Sequence, residues 1–283
     1  MKTIYTIQML QHSLNQFKKE DKKIGFVPTM GFLHEGHLAL VEKAKQENDI
    51  VVMSIFVNPA QFGPGEDFDA YPRNTKRDME LSKNAGVDIL FVPETVEMYP
   101  TNGGIRILPG PQATKLCGAS RPEHFDGVLK VVLKLFNIVD PDRSYFGMKD
   151  AQQFAIIETF IRDFNLRTEL VRVTTVREKD GLAKSSRNVN LSETERLQAP
   201  EIQKALQKGL ELFRNQIPVN EIETEVIKHI VANTSGGIDY VSLLSYPSLQ
   251  ELNEETEEAI LACAVKFENT RLIDNIIFST KDE

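Results

Sequence analysis

Between residues 23 and 176, short apolar runs alternate with stretches of helical spacing, and nothing else in the chain limits its fold so strongly. The runs are KIGFV (23–27), DIVVMSIFV (49–57), VDILFV (87–92), RSYF (143–146) and ELVRVTTV (169–176). Those at 49–57 and 87–92 are apolar almost throughout, as strands covered on both faces are. Helical periodicity falls between them, at 37–48, 75–85, 128–139 and from 150 to 164, after a short strand or turn and a helix over 4–17. Such alternation predicts an α/β fold with a parallel sheet and helices on both faces. Ligands of such sheets bind beyond the carboxyl ends of the strands. After residue 176 the pattern changes to a helical turn at 193–198, helices at 200–213 and 219–233, and strand-like runs at 238–244, 259–267 and 271–278. The last two runs, separated by Glu268, Asn269 and Thr270, read as a hairpin. A domain over 1–176 and a smaller α+β domain over 177–283 are therefore expected.

Composition narrows the partners. Of 283 residues 41% are apolar and 26% charged, the balance of a soluble globular protein. The formal charge of −8 opposes non-specific nucleic-acid binding, which depends on neutralising phosphates, so no nucleic-acid partner is expected. Cys117 and Cys263 stand far apart and suggest neither a disulfide framework nor a zinc knuckle. The first twenty residues lack the apolar core of a signal peptide, and no run reaches membrane-spanning length. A cytoplasmic location without a membrane partner is the expectation. Over 128–139 only Lys130, Lys134 and Asn137 are polar, and they share one stripe. So wide an apolar surface belongs deep in a core or in a subunit interface.

The chemistry concentrates at 28–38, PTMGFLHEGHL, where a strand meets a helix. Pro28, Gly31 and Gly36 shape the junction, and His34 and His37 lie three residues apart. Free backbone N–H groups and the positive end of a helix dipole suit a phosphate there. Gly36 allows close approach of a ligand, and each imidazole can donate to an anionic oxygen. A zinc reading also exists, but HEGH falls one residue short of the i, i+4 spacing in H-E-x-x-H. Two ordinary surface histidines are the plain alternative. Against it, the chain has five histidines and two sit at one turn. H-x-G-H in this setting resembles the signature of nucleotidyltransferases and class I aminoacyl-tRNA synthetase catalytic domains, which implies nucleoside triphosphate chemistry.

Further constellations follow in order. Asn58, Gln61 and Tyr71 stand on a long loop after the second strand, where amides orient a hydroxylated acid or merely cap loop backbone. Lys149 ends a strand and can neutralise a phosphate as a point charge, or can be a solvated lysine. Asp150 suits an N-cap, and Gln153 shares the helical face of Lys149. In DGLAKSSRNVNL (180–191), Lys184, Ser185, Ser186 and Arg187 form a dense donor set, unless the segment is a polar linker. Beside H-x-G-H it resembles the Lys-Met-Ser-Lys-Ser loop that holds triphosphate in class I synthetases.

Six stretches together resemble the pantoate–β-alanine ligase (pantothenate synthetase) family: PTMGFLHEGHL, SIFVNPAQF (54–62), YPR (71–73), RPEHFDG (121–127), YFGMKDAQQ (145–153) and DGLAKSSRNVNL. Two positions depart from its pattern. Met148 stands where a polar residue is usual, and Lys184 where Met is common. The resemblance implies a Rossmann-like catalytic domain, a homodimer, and ATP-dependent joining of (R)-pantoate to β-alanine through pantoyl adenylate, with Mg²⁺ on the phosphates. It assigns ATP to Met30, Gly31, His34, Gly36, His37, Gly147, Met148, Lys149, Asp150, the backbone at Val176, and Lys184, Ser185, Ser186 and Arg187. Pantoate and β-alanine fall to Gln61 and Gln153 with Pro28, Met30, Asn58 and Tyr71. His37, His34 and Lys149 carry the catalytic roles. An acyl adenylate is prone to hydrolysis, so a lid such as 63–71 would be useful. A nucleotidyltransferase acting on a phosphorylated substrate, or a non-catalytic nucleotide sensor, would share H-x-G-H.

Overall fold

The apolar runs become strands and the periodic stretches helices. The computed structural model describes residues 1–101 and 104–281. In chain order it forms β1 (Lys2–Ile4), α1 (Ile7–Lys19), β2 (Ile24–Thr29), α2 (Glu35–Glu47), β3 (Ile50–Ile55), α3 (Thr75–Asn84) and β4 (Ile89–Phe91). There follow α4 (Thr95–Met98), α5 (Leu116–Ser120), α6 (His124–Val139), β5 (Arg143–Gly147), α7 (Ala151–Asp163) and β6 (Glu169–Val173). The remainder holds α8 (Glu193–Gln198), α9 (Glu201–Arg214), α10 (Val219–Asn233), β7 (Gly237–Tyr246), β8 (Glu258–Lys266) and β9 (Arg271–Ser279). Met1–Pro109, Pro122–Met148 and Ile156–Thr174 make one compact unit, and Gly110–Arg121, Lys149–Ala155 and Thr175–Glu283 a second.

In the first unit six parallel strands form a sheet in the order β1-β4-β3-β2-β5-β6. The chain winds from β2 through β3 to β4, then crosses back to β5. The reversal therefore falls beside β2, the strand that leads into the histidine turn. Side chains alternate across the sheet. Val27, Val51, Met53 and Leu90 pack with Leu40, Val41 and Ala44 of α2 on one face. Phe26 and Val52 point to the other, where α6 lies against β2 and α1 against α6. The far end of α2 is pinned by the buried Tyr145. Its hydroxyl donates to Glu47 Oε2 at 2.9 Å and accepts from Asn48 Nδ2 at 2.6 Å. Burial pushes that phenol up, so it keeps the proton it donates.

Several boundaries differ from the sequence expectation, each for a physical reason. Helix α2 starts at Glu35 because His34 caps it. Helix α6 starts at His124, not 128, because Glu123 in the left-handed region (φ +65°) breaks the chain ahead of it, and Gly127 lies inside its first turn. Residues 93–127 hold α4 and α5 where irregular chain was expected, both too short for periodicity to reveal. The wide apolar surface of α6 is accounted for within one chain, since Val128, Leu129, Val131, Val132, Leu135 and Phe136 are all buried. That helix alone gives no reason for a second subunit.

The second unit contains an antiparallel sheet in the order β7-β8-β9. Its core joins Leu261 and Val265 of β8 to Ile202 and Leu206 of α9 and to Ile222 and Val226 of α10. A Cβ on Gly209 would stand 2.4 Å from Leu261 Cδ2, so glycine sets how closely α9 approaches the sheet. Among the described residues no helix is long and apolar enough to cross a membrane.

Helices α9 and α10 are also joined by charge at the surface. Glu225 accepts from Lys228 at 2.8 Å and from Lys208 at 3.0 Å, and these contacts bring its carboxyl from 4.5 down to about 2. The folded value lies below the unfolded one, so the stabilisation is complete above about pH 4.5 and is lost as pH falls through about 2. The gap in Tm between wild type and Glu225→Gln should therefore be widest near neutrality and close on acidification. Because the pair is exposed, added salt should shrink the same gap. A gap independent of pH would remove the ion pairs from the explanation.

Candidate active site

The candidate residues fall on both units. On the first, β2 ends at Thr29 and the chain turns through Met30 and Gly31 into α2. His34 is the N-cap of α2, and its Nδ1 accepts from Gly36 N–H at 3.1 Å. His37 sits three residues on, and its Nδ1 accepts from His34 N–H at 3.3 Å. This reciprocal cap uses imidazoles where Ser and Glu are usual. The rings lie 4.0 Å apart between centroids, 37° from parallel. Because each Nδ1 accepts a backbone N–H, the hydrogen-bond network assigns the proton of each neutral ring to Nε2. Both rings thus present Nε2–H as a donor.

The backbone behaves differently from the expectation of free N–H groups. Gly31 N–H goes to Thr29 Oγ1 at 3.2 Å, and Phe32 and Leu33 donate to the carboxylate of Asp78 at 2.7 and 2.8 Å. Those of His37 and Leu38 return to the carbonyl of His34 at 2.9 and 3.1 Å. These N–H groups are engaged within the protein, and each imidazole Nε2–H is a further donor at the junction. Among the described residues no group of three or more His, Cys, Asp or Glu is placed to hold a metal ion.

Gln61 lies across from this turn, at the end of the short helical turn Pro59–Gln61. Its Nε2 donates to Met30 Sδ at 3.0 Å and its Oε1 accepts from Asn58 Nδ2 at 3.1 Å. The thioether only accepts, so both flanks agree on which end of the amide is which. Asn58 is 1% exposed and its amide is spent on the loop. Nδ2 also donates to Gly127 O at 3.1 Å, while Oδ1 accepts from Ala60 N–H at 3.2 Å and from Tyr99 Oη–H at 2.9 Å. Of the two readings offered for Asn58, the structure shows loop capping. Burial pushes the phenol of Tyr99 up to about 12, which keeps it a donor. His124, at the start of α6, lies with Nδ1 2.7 Å from the carbonyl of Gln61. Pro28 is half-buried at the strand end, and Tyr71 is buried with its ring 6.1 Å from that of Phe62. Gly147 closes β5, and Met148 opens the turn Met148–Asp150.

On the second unit Lys149 and Asp150 continue that turn into α7, with Asp150 exposed and Gln153 half-buried. The paired glutamines divide. Gln152 is a structural residue, accepting from Cys117 N–H at 2.9 Å and donating to Gln112 O and Lys115 O at 2.8 and 2.7 Å. The carbonyl of Lys149 is held by Asn275 Nδ2 at 3.0 Å. The loop at 184–187 is equally anchored. Val176 O accepts from Lys184 N–H at 2.9 Å, and Ser185 caps the short turn Ser186–Asn190 through Arg187 N–H. Ser186 is buried. Lys184, the residue that departs from the family pattern, pairs with Glu178 at 3.0 Å. Arg177 grips Asp274 of β9 through two bonds of 2.6 and 2.9 Å. Lys149, Ser185, Asn188 and Asp274 line one cavity of about 10 Å³, room for a single water. Sequence patterning gave no sign of Asp78, Tyr99, Arg177, Asp274 or Asn275, because each acts on a residue far along the chain.

Comparison with known proteins bears on this arrangement. A family model described as Pantoate-beta-alanine ligase matches residues 2–277. The pantothenate synthetase of Lysinibacillus sphaericus (strain C3-41) is 55% identical over 282 residues, covering 100% of this chain and 99% of that one. The crystal structure of pantothenate synthetase from Thermus thermophilus superposes with a TM-score of 0.92 at 44% identity, covering 98% of this chain and 99% of the other. That of the Francisella tularensis pantoate-beta-alanine ligase complexed with Beta-gamma ATP and Beta-alanine gives a TM-score of 0.82 at 36% identity, covering 100% and 99%.

The close approach of α6 to the Gln61 turn gives a direct test. A Cβ on Gly127 would stand 2.0 Å from the carbonyl oxygen of Ala60 and 2.6 Å from Gln61 N, both backbone atoms. Gly127→Ala should cost about 1–3 kcal/mol or more in urea unfolding, since neither side can yield as a side chain would. An unchanged midpoint would show that the helix and turn separate easily.

Proposed function

The chain belongs to the pantoate–β-alanine ligase family, and from that premise we propose that it joins (R)-pantoate to β-alanine through a pantoyl adenylate, releasing AMP and pyrophosphate. The observation that carries this reading is the full-length likeness to a ligase crystallised with Beta-gamma ATP and Beta-alanine. In the first step a pantoate carboxylate oxygen attacks the α-phosphorus of ATP, and the bond to the bridging oxygen of pyrophosphate breaks. In the second the amine of β-alanine attacks the acyl carbon. The acyl–phosphate bond breaks, AMP leaves with its electron pair, and the amine gives up a proton. Mg²⁺ enters with ATP, on its phosphates, as part of the substrate.

Residues of this chain serve those steps as follows. His37, with His34 beside it, donates from Nε2 to phosphate oxygens as negative charge moves onto pyrophosphate, and Lys149 adds a positive charge. Attack of one anion on another needs donors fixed in advance, and a capped, paired imidazole is such a donor. Met30, Gly31, Gly36, Gly147, Met148, Asp150, the backbone of Val176, and Lys184, Ser185, Ser186 and Arg187 complete the nucleotide contacts. Gln61 and Gln153 hold pantoate beside Pro28, Met30 and Tyr71. Asn58 serves by fixing Gln61. The segment 63–71 closes over the adenylate and keeps out water. Residues 1–176 form the catalytic domain, and 177–283 form a smaller domain carrying the 184–187 loop at its start. The enzyme works in the cytoplasm as a homodimer.

Three measurements test this proposal. Exchange of pyrophosphate into ATP should require pantoate and Mg²⁺ but not β-alanine, and exchange that begins only with β-alanine would reverse the order. His37→Ala and Lys149→Ala should lower kcat by about 10²–10³-fold, the usual loss for one preorganised donor. Gln61→Ala and Gln153→Ala should instead raise the KM for pantoate by roughly tenfold, as expected for a lost hydrogen bond of ~1.4 kcal/mol. Near-normal turnover in His37→Ala would take the phosphate role from that ring. A sedimentation mass of one chain at micromolar protein would remove the dimer.

A further inference from the structure

Two successive residues ahead of the imidazole pair have left-handed backbone, Gly31 at φ +84° and Phe32 at φ +48°. Glycine takes that conformation freely and a bulky L-residue rarely does, so something outside the turn must hold Phe32 there. Two adjacent residues of α3 do so. Asp78 is 1% exposed, and its two oxygens accept one N–H each, from Phe32 at 2.7 Å and from Leu33 at 2.8 Å. Arg77 donates from Nη1 to the carbonyl of Leu33 at 2.8 Å, and its guanidinium lies 5.5 Å from the Phe32 ring centroid. A Cβ on Gly31 would stand 3.1 Å from Asp78 Oδ2 and 2.9 Å from Ile55 Cγ2, so the turn is pressed against the carboxylate. Successive N–H groups in such a turn form a concavity suited to an anion. Here the chain's own carboxylate fills it. The residue after Leu33 is His34, whose N–H and Nδ1 begin the reciprocal cap with His37.

We propose that Asp78, assisted by Arg77, is a positioning residue for the imidazole pair: it fixes the 31–33 turn, the turn fixes the cap, and the cap aims both Nε2–H groups. The inference rests on the reading that these rings meet the phosphates. It bears on the phosphate end more than on pantoate, because the Oε1 end of Gln61 is held through Asn58 and Gly127, and only its Nε2 contact, to Met30, adjoins the 31–33 turn. A disturbed clamp should therefore slow phosphate chemistry and leave the grip on pantoate intact.

The test uses Asp78→Asn in the full-length enzyme. The amide is nearly isosteric, but it turns an N–H group toward one of two backbone donors, so one contact becomes donor against donor. Turnover should fall by about 10²-fold, as a misplacement of ~1 Å costs in an oriented site, with the KM for pantoate unchanged. In a His37→Ala background the same substitution should add little, because both act on one contact. Imidazole ¹⁵N spectra should report the Nε2–H tautomer for both rings in wild type and lose it in Asp78→Asn. Arg77→Met keeps the aliphatic stem on a residue whose side chain is 46% exposed, and should show the same pattern at roughly tenfold. If Asp78→Asn does not fold, Arg77→Met decides by the same readouts. Wild-type turnover in a folded variant would overturn the proposal. So would a matching rise in pantoate KM, or a full multiplicative loss on top of His37→Ala. Normal turnover in His37→Ala would instead defeat the phosphate role, and the ring spectra would still decide whether Asp78 sets the imidazoles.

Discussion

The approach of α6 to the turn at 59–61 is backbone against backbone, with no room for even a methyl group at Gly127. Much of the first unit's candidate site follows from that contact. Because the helix comes so close, Asn58 can reach the carbonyl of Gly127 while its other end is held by Ala60 and Tyr99. The fixed amide of Asn58 then turns Gln61 so that its Nε2 faces Met30. Every bond in this series runs from a donor to a group that can only accept, or the reverse. The direction of each amide is set by its surroundings and not by chance rotation.

The histidine turn is built on the same logic with different materials. Asp78, Thr29 and His34 have taken the backbone donors of Gly31, Phe32, Leu33, His37 and Leu38. A donor suited to an anion is the far nitrogen of each ring. Imidazoles reach further than backbone amides, and their aim is set by whatever orients Nδ1. The two units solve similar problems alike. Asn275 and Asp274 hold the Lys149 carbonyl and Arg177, so residues remote in sequence fix the turn beside a proposed ligand contact.

The strands were legible because parallel strands buried on both faces leave few places for polar residues, as at 50–55. Helices α8 and α10 match the expected ranges, 193–198 and 219–233, since caps and proline mark their starts. Helix α6 starts four residues ahead of the range that helical spacing suggests, and Gly127, inside its first turn, answers to a carbonyl 67 residues earlier, at Ala60. Motif residues of the candidate site were visible as chemical types. Their supports were not, since Asp78 reads as one more acid on a polar helix. Only the fold carries it 45 or 46 residues back to the turn it holds. The free backbone donors expected at 31–38 followed from helix-end geometry alone, which knows nothing of a carboxylate arriving from another helix.

The order of strands also bears on how the chain assembles as it is made. β2 finds β3 soon after synthesis, with Ile24 beside Ile50, so a nucleus of two strands and α2 is local in sequence. β1 pairs with β4, Lys2 lying beside Ile89. β5 must travel back across more than a hundred residues to lie against β2. Contacts of such separation form late and slowly. Until β4 and β5 are made, both outer edges of the β2–β3 pair lack their partners. During that interval the open edges of β2 and β3 are the surfaces most exposed to pairing with a neighbouring nascent chain.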